Sequence, residues 1–255
     1  MIIMGGGDAF NNSSNNDVPS KVCSDDLEDC IIAYIDILGT TDILCSDDNE
    51  RVATFIHNVS EMYDGLMDDG FNIRIFSDNI LIFDGYSEEG LDRLIDIACK
   101  TQYYFLIKYG LLTRGAIVRG SLFYNDVFVL GKGLVEAYDM ESNVAKNPLV
   151  MISDDLPHDN PLITVMDGVH LVNYMDYTYD VENDCPNSDD LLKHKETILN
   201  LYENNLKQPD SKKKESIKSK HTWVIRYHND YCRRNDVDDS LMIDEGNILA
   251  GSMGE

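Results

Sequence analysis

The sequence predicts an α+β fold: one antiparallel sheet, helices on one of its faces, and a C-terminal helical extension. Three observations carry that reading. Short β-branched, apolar runs alternate with stretches whose apolar residues recur at helical spacing. In two places one such run follows another with no helical stretch between them, as in hairpins. The resulting order is strand, helix, hairpin, helix, hairpin, helix, strand, which a single sheet with helices on one side accommodates.

Taken in order, residues 1–28 hold Gly5-Gly6-Gly7 and an Asn/Ser run, and are expected to be a disordered polar tail. Ile31 to Leu38 is a continuous apolar run ending at Gly39, so it reads as a buried strand. Val52, Phe55, Ile56, Val59, Met62, Tyr63 and Leu66 form the apolar stripe of a helix ending near Gly70. Phe71–Phe76 and Asn79–Phe83 flank the turn Ser77-Asp78. Ser87 is placed to cap a helix carrying Leu91, Leu94, Ile95, Ala98 and Phe105. Leu111–Val118 and Val127–Leu130 make the second strand pair, and Leu134, Ala137, Tyr138, Glu141 and Ala145 share one helical stripe. Leu149–Ile152 closes the sheet. This is the arrangement of ferredoxin-like palm domains, here expected over residues 29–155.

An extension is expected over 156–235, with helices around Leu191–Leu206 and Ile217–Tyr231. Lys207–Lys220 is expected to be a solvated loop or frayed helix end, and 236–255 a tail.

The net charge of −25 argues against a nucleic-acid surface, which needs a Lys/Arg excess. No apolar run approaches the ~18–20 residues that span a bilayer, and the N-terminus lacks a secretory pattern. A soluble, cytoplasmic protein without membrane contact is expected. No pair among the six cysteines has CxxC spacing, so a cysteine zinc site is not expected.

Asp36 stands inside Ile35-Asp36-Ile37-Leu38-Gly39, where an unpaired acid is costly. Asp78 sits at the hairpin turn. Alone, each reads as readily as a strand-end or turn residue. Together they point further. In a palm the end of the first strand lies beside the tip of the central hairpin, where two carboxylates can clamp two divalent ions about 4 Å apart. Gly39 falls where a loop must bend beneath phosphates.

Tyr34-Ile35-Asp36-Ile37-Leu38-Gly39-Thr40 resembles the first metal motif of class III nucleotidyl cyclases, and Arg74-Ile75-Phe76-Ser77-Asp78 resembles their second. The resemblance implies that Asp36 and Asp78 are catalytic and bind two Mn²⁺ or Mg²⁺ ions, with the Ile37 carbonyl serving one. Arg74 falls where such cyclases keep a base-reading Lys. Three further segments narrow the likeness: Arg114-Gly115-Ala116-Ile117-Val118-Arg119-Gly120, Gly131-Lys132-Gly133-Leu134-Val135-Glu136-Ala137-Tyr138-Asp139-Met140-Glu141, and Lys220-His221-Thr222-Trp223-Val224-Ile225-Arg226-Tyr227-His228-Asn229. They resemble the pyrimidine cyclases of the Pycsar anti-phage systems, over residues 30–232. That family implies a UTP or CTP substrate, a homodimer with composite active sites, and a separate effector protein that senses the cyclic product.

There are departures. Val135 and Asp139 stand where purine cyclases carry an Asn and a transition-state Arg, and Asn147-Pro148-Leu149 stands where a Pro-Arg pair is usual. Arg114, Arg119, Lys132 and Lys146 are candidates to offset triphosphate charge, with Arg119 and Lys132 preferred because each borders a glycine. A purine cyclase, or a cyclase-like binding module without catalysis, are the alternatives. His221 and His228 are expected to be packed or capping residues, and Trp223 a core or interface residue.

Overall fold

The computed structural model of the protein describes residues 23–66, 70–206 and 211–245. Most of the expected N-terminal tail, residues 207–210 and the end of the chain lie outside the described residues. The chain is an α+β palm with a C-terminal helical extension. Its elements are β1 (Glu28–Ile37), α1 (Thr41–Leu44), α2 (Asn49–Leu66), β2 (Asn72–Phe76), β3 (Asn79–Gly85), α3 (Glu88–Tyr109), β4 (Thr113–Tyr124), β5 (Val129–Leu130), α4 (Lys132–Asp139), β6 (Val150–Ile152), β7 (Ile163–Met166) and β8 (Val169–Val172). A small ribbon of β9 (Tyr179–Asp180) and β10 (Cys185–Pro186) then precedes α5 (Ser188–Leu206) and α6 (Ser211–Arg234).

The sheet runs in the order β2-β3-β1-β4-β6-β8-β7, with β5 paired to the end of β4. β1 is buried from Cys30 to Ile35 on both faces. Ile31, Ala33, Ile35 and Ile37 enter the larger core with residues of α3, α5 and α6. Cys30, Ile32 and Tyr34 point the other way, into a smaller core closed by Ala137 and Leu134 of α4. A continuous apolar strand is what two covered faces require.

Two details depart from the expected one-faced, antiparallel layout. β6 pairs with β4 in parallel, Gly115 opposite Val150 and Ile117 opposite Ile152. Two parallel neighbours need a crossover, and α4 provides it. That helix lies on the face opposite α3. It can approach because Gly120 and Gly133 meet backbone to backbone: a Cβ on Gly120 would come 2.5 Å from the Gly133 Cα. The sheet also continues past residue 155, where the sequence suggested the palm ends, because β7 and β8 extend it.

Local signals hold where their chemistry is specific. Ser87 accepts a hydrogen bond from the Gly90 amide at 2.9 Å and caps α3, and Gly110, with φ of 63°, ends it. Ser77 takes the left-handed conformation, φ 57°, in the two-residue turn of the β2–β3 hairpin.

In the extension, α6 starts at Ser211, so the Lys-rich segment expected as loop or frayed end is helical from there on. The expected tail is docked through Glu245. Ile243 is buried, its amide donates to Asn229 at 2.8 Å, and Lys195 donates to the carbonyls of Ser240 and Met242. Trp223 is buried and stacks on Tyr227, with ring centroids 5.4 Å apart. His228 is buried in a relay: its Nε2 donates to the Leu241 carbonyl (2.9 Å), its Nδ1 meets His194 Nδ1 (2.9 Å), and Tyr174 reaches His194 Nε2 (3.2 Å). Burial holds His194 well below the usual imidazole range, so the pair is neutral.

Adding one methyl separates the two kinds of glycine. Gly120→Ala should lower stability by about 1–3 kcal/mol, the usual effect of overpacking. Gly65→Ala, in α2 with open space around it, should raise stability by about 0.4–1 kcal/mol. Urea unfolding of the two variants checks both signs.

Candidate active site

β1 carries Asp36 out of the core at its C-terminal end. Pairing sets it between Asn79 of β3 and Arg114 of β4. Side chains alternate along a strand. With Ile35 and Ile37 in the larger core, Asp36 points to the α4 face, as does Arg114 opposite it. The hairpin tip is tied to the same place: the Ile37 amide donates to the Asp78 carbonyl at 2.9 Å. Thr40 Oγ1 donates to Asp78 Oδ2 at 2.6 Å and Asn79 Nδ2 to Asp78 Oδ1 at 3.1 Å, so the second carboxylate is held from two sides. Gly39, with φ of 86°, makes the turn that brings Thr40 back over the hairpin. The structure thus brings Asp36, Ile37, Gly39 and Asp78 together.

Two further charged residues close around Asp36. Arg114 Nε–H points at Asp36 Oδ2, 3.3 Å away. Glu141 Oε1 lies 2.6 Å from the same nitrogen but off its N–H direction, so it is a charge contact rather than a hydrogen bond. Glu141 is buried and sits on the π-helical turn Met140–Val144 that continues α4. Its signal was present in the sequence, as an acid on the otherwise apolar stripe of that helix. Lys220 of α6 is the other newcomer. Burial lowers its pKa and so does Arg114, while Asp36 and Glu141 pull it back up.

Burial raises the Asp36 pKa; Glu141 and Asp78 add to the rise, and Arg114 only partly offsets it. Three carboxylates therefore face two cationic side chains. That excess of negative charge, with oxygen donors converging from β1 and the hairpin tip, fits a hard divalent cation.

The other expected residues are spread more widely. Arg74 of β2 shares the α4 face. It donates to the carbonyls of Ile73 (3.0 Å) and Asn125 (3.3 Å). Tyr34 stands two residues before Asp36 on the same face, level with Arg74 across Leu81 of β3, with Phe76 and Tyr138 against its ring at centroid distances of 6.2 and 5.9 Å. Arg119 is a correction. By strand alternation it points to the face opposite Asp36, where it stacks on Tyr86 (3.6 Å) and pairs with Asp29 (2.6 Å). Lys132 opens α4 and pairs with Glu136 at 2.9 Å, nine residues before Glu141 and thus about 13 Å along the helix from it. Neither preferred cation joins the acids within one chain; Arg114, the less favoured candidate, does. Lys146 follows the π-helical turn and is exposed.

No family model matches the chain, and no curated protein matches it. Solved structures do. The catalytic core of a rhodopsin-guanylyl cyclase with converted specificity, in complex with ATPalphaS, is 18% identical, with 57% of this chain and 96% of that one covered and a TM-score of 0.42. The adenylyl cyclase CyaB from P. aeruginosa is 14% identical, with 57% and 94% covered and a TM-score of 0.41. The guanylate cyclase domain of RhGC from Catenaria anguillulae, in complex with GTP, is 18% identical, with 56% and 93% covered and a TM-score of 0.40. At such identities and TM-scores, function rests on the chain's own residues. No helix among the described residues is long and apolar enough to cross a membrane.

The raised Asp36 pKa has a stability consequence. The folded state favours the protonated acid, so Asp36 destabilises the fold once pH rises above its unfolded value and through its raised folded value. Asp36→Asn should therefore be more stable than the wild type at pH 7, with the gap closing as pH falls toward the ordinary carboxylate range. Denaturant unfolding from pH 7 to pH 4 measures it.

Proposed function

We propose that this chain is a pyrimidine nucleotidyl cyclase, converting UTP, or second CTP, to its 3′,5′-cyclic monophosphate and pyrophosphate. The observation that carries the proposal is the pairing of Asp36 and Asp78 across the Ile37–Asp78 backbone hydrogen bond, at the open end of a palm sheet. Two Mn²⁺ or Mg²⁺ ions on Asp36, Asp78 and the Ile37 carbonyl would lower the pKa of the ribose 3′-hydroxyl and neutralise the triphosphate.

The rest falls to the chain. The ribose 3′-hydroxyl gives its proton to solvent, its oxygen attacks the α-phosphorus in line, the bond to the β-phosphate oxygen breaks, and pyrophosphate leaves. Asp36 and Asp78, fixed by Thr40, Asn79 and Arg114, set the geometry, and positioning is most of the catalysis. Arg114 and Lys220 supply positive charge at the same end of the sheet and are the cations we assign to the phosphates. Arg74, on the same face, is assigned to the base edge, where a donor fork suits pyrimidine carbonyl oxygens. The choice of a pyrimidine rests on the Gly131–Glu141 and Lys220–Asn229 resemblance and on Val135 and Asp139. Both of these stand exposed on α4 where a purine enzyme would carry Asn and Arg.

The same resemblance supports a homodimer with composite sites and an effector protein answering the cyclic product in anti-phage defence. Exposed Phe128, Leu130, Val135 and Tyr138 on the β5–α4 segment supply apolar surface for a second copy.

Incubation with Mn²⁺ and each of the four NTPs, with products identified by mass spectrometry, should give one cyclic pyrimidine nucleotide. Asp36→Ala and Asp78→Ala should each reduce turnover by at least about a thousandfold, on the order of 4 kcal/mol of transition-state stabilisation, with far-UV circular dichroism unchanged. A cyclic purine product would overturn the base assignment. No product from any NTP, with nucleotide still bound, would favour the binding module instead.

A further inference from the structure

At the far end of the sheet, three side chains converge that the proposed reaction does not use. β6 runs parallel to β4, away from Arg114, so its C-terminal end lies about 10 Å along the strands from the level of Asp36. Asp154 follows it, His158 comes from the same loop, and His170 stands on β8. One ligand atom from each lies within 4.8 Å of the others.

The two imidazoles lie face to face, so their lone pairs run in near-parallel planes and one ring must turn about its Cβ–Cγ bond for both to reach one ion. Their rings stack with centroids 3.7 Å apart and planes 13° from parallel. The neutral imidazole is the form that binds metals. His158 Nε2 lies 3.1 Å from the Ser153 carbonyl. A carbonyl only accepts, so that nitrogen carries the hydrogen and Nδ1 keeps its lone pair. A histidine fixed through its other nitrogen by a backbone carbonyl is the usual outer support of a metal ligand. His170 Nδ1 is buried and makes no hydrogen bond. Its nearest charged neighbour is Asp154 Oδ1 at 3.5 Å. A cation between them would satisfy an atom that is otherwise orphaned.

We propose that Asp154, His158 and His170 form a second metal site, selective for an imidazole-seeking transition ion of the Zn²⁺ class. Two nitrogen donors and one carboxylate match Zn²⁺, Co²⁺ or Ni²⁺, whereas Mg²⁺ takes oxygen donors. The donor set thus separates this site from the all-oxygen site at Asp36 and Asp78. Three protein ligands leave a coordination position to water. The ion ties the 153–162 loop to β8, joining the last palm strand to the β7–β8 hairpin, so its effect is on stability.

The test uses the untagged full chain, stripped with a chelator and held in excess Mg²⁺ so that the oxygen site is occupied. Zn²⁺ is then titrated calorimetrically and thermal unfolding is followed with and without it. We expect one Zn²⁺ per chain and a raised Tm. Asp154→Asn alters an exposed side chain and should weaken binding about tenfold or more; His170→Gln should abolish both binding and the Tm shift. Asp36→Asn should bind Zn²⁺ as the wild type does, which keeps this result independent of the proposed activity. Failure of the wild type to bind, or equal affinity in the wild type, Asp154→Asn and His170→Gln, would overturn the site.

Discussion

The structure depends on one placement: a carboxylate at the end of a strand buried on both faces. β1 is the strand around which the sheet is ordered, and its side chains build both cores. Ionised Asp36 at its end is unfavourable there, and the surroundings respond to that charge. Arg114 crosses from β4 to meet it. Glu141 shares the Arg114 guanidinium, and Lys220 reaches in from α6. Removing one charge changes the balance of all the others.

The same placement explains why α4 lies on the second face. Cys30, Ile32 and Tyr34 need a cover, and the helix that crosses from β4 to β6 provides it. Its close approach at Gly120 and Gly133 aims the following π-helical turn at Arg114. Packing of a small apolar core and assembly of a charged site are thus one event. The extension joins in from the other side of the sheet. α6 is anchored by Trp223, Tyr227 and the neutral His194–His228 pair, and it carries Lys220 one turn before that anchor.

Much of this was legible in the sequence. The apolar run Ile31–Leu38, the stripe before Gly70, the Ser77-Asp78 turn and the Ser87 cap are local, and each rests on chemistry within a few residues. Asp36 and Asp78 were legible because an acid in an apolar strand and an acid at a tight turn are conspicuous. Face and partner were less so. Arg119 and Arg114 both border glycines, and only strand register puts one beside Asp36 and the other behind the sheet. Glu141 was visible as part of a helical stripe, but its role depends on a residue brought to it by β4. The docking of residues 237–245 depends on Asn229 and Lys195, which no local pattern marks.

The proposed reaction needs a pair of divalent cations held by Asp36 and Asp78 against a triphosphate. The most direct measurement is a crystal structure of the protein with Mn²⁺ and a non-cyclisable UTP analogue, with anomalous scattering used to locate the metal. Two anomalous peaks about 4 Å apart are expected, bounded by the Asp36 and Asp78 carboxylates and the Ile37 carbonyl, with Arg114 turned toward the phosphates. Triphosphate bound elsewhere, or Arg114 still paired with Asp36 and no manganese between the two acids, would contradict the proposal.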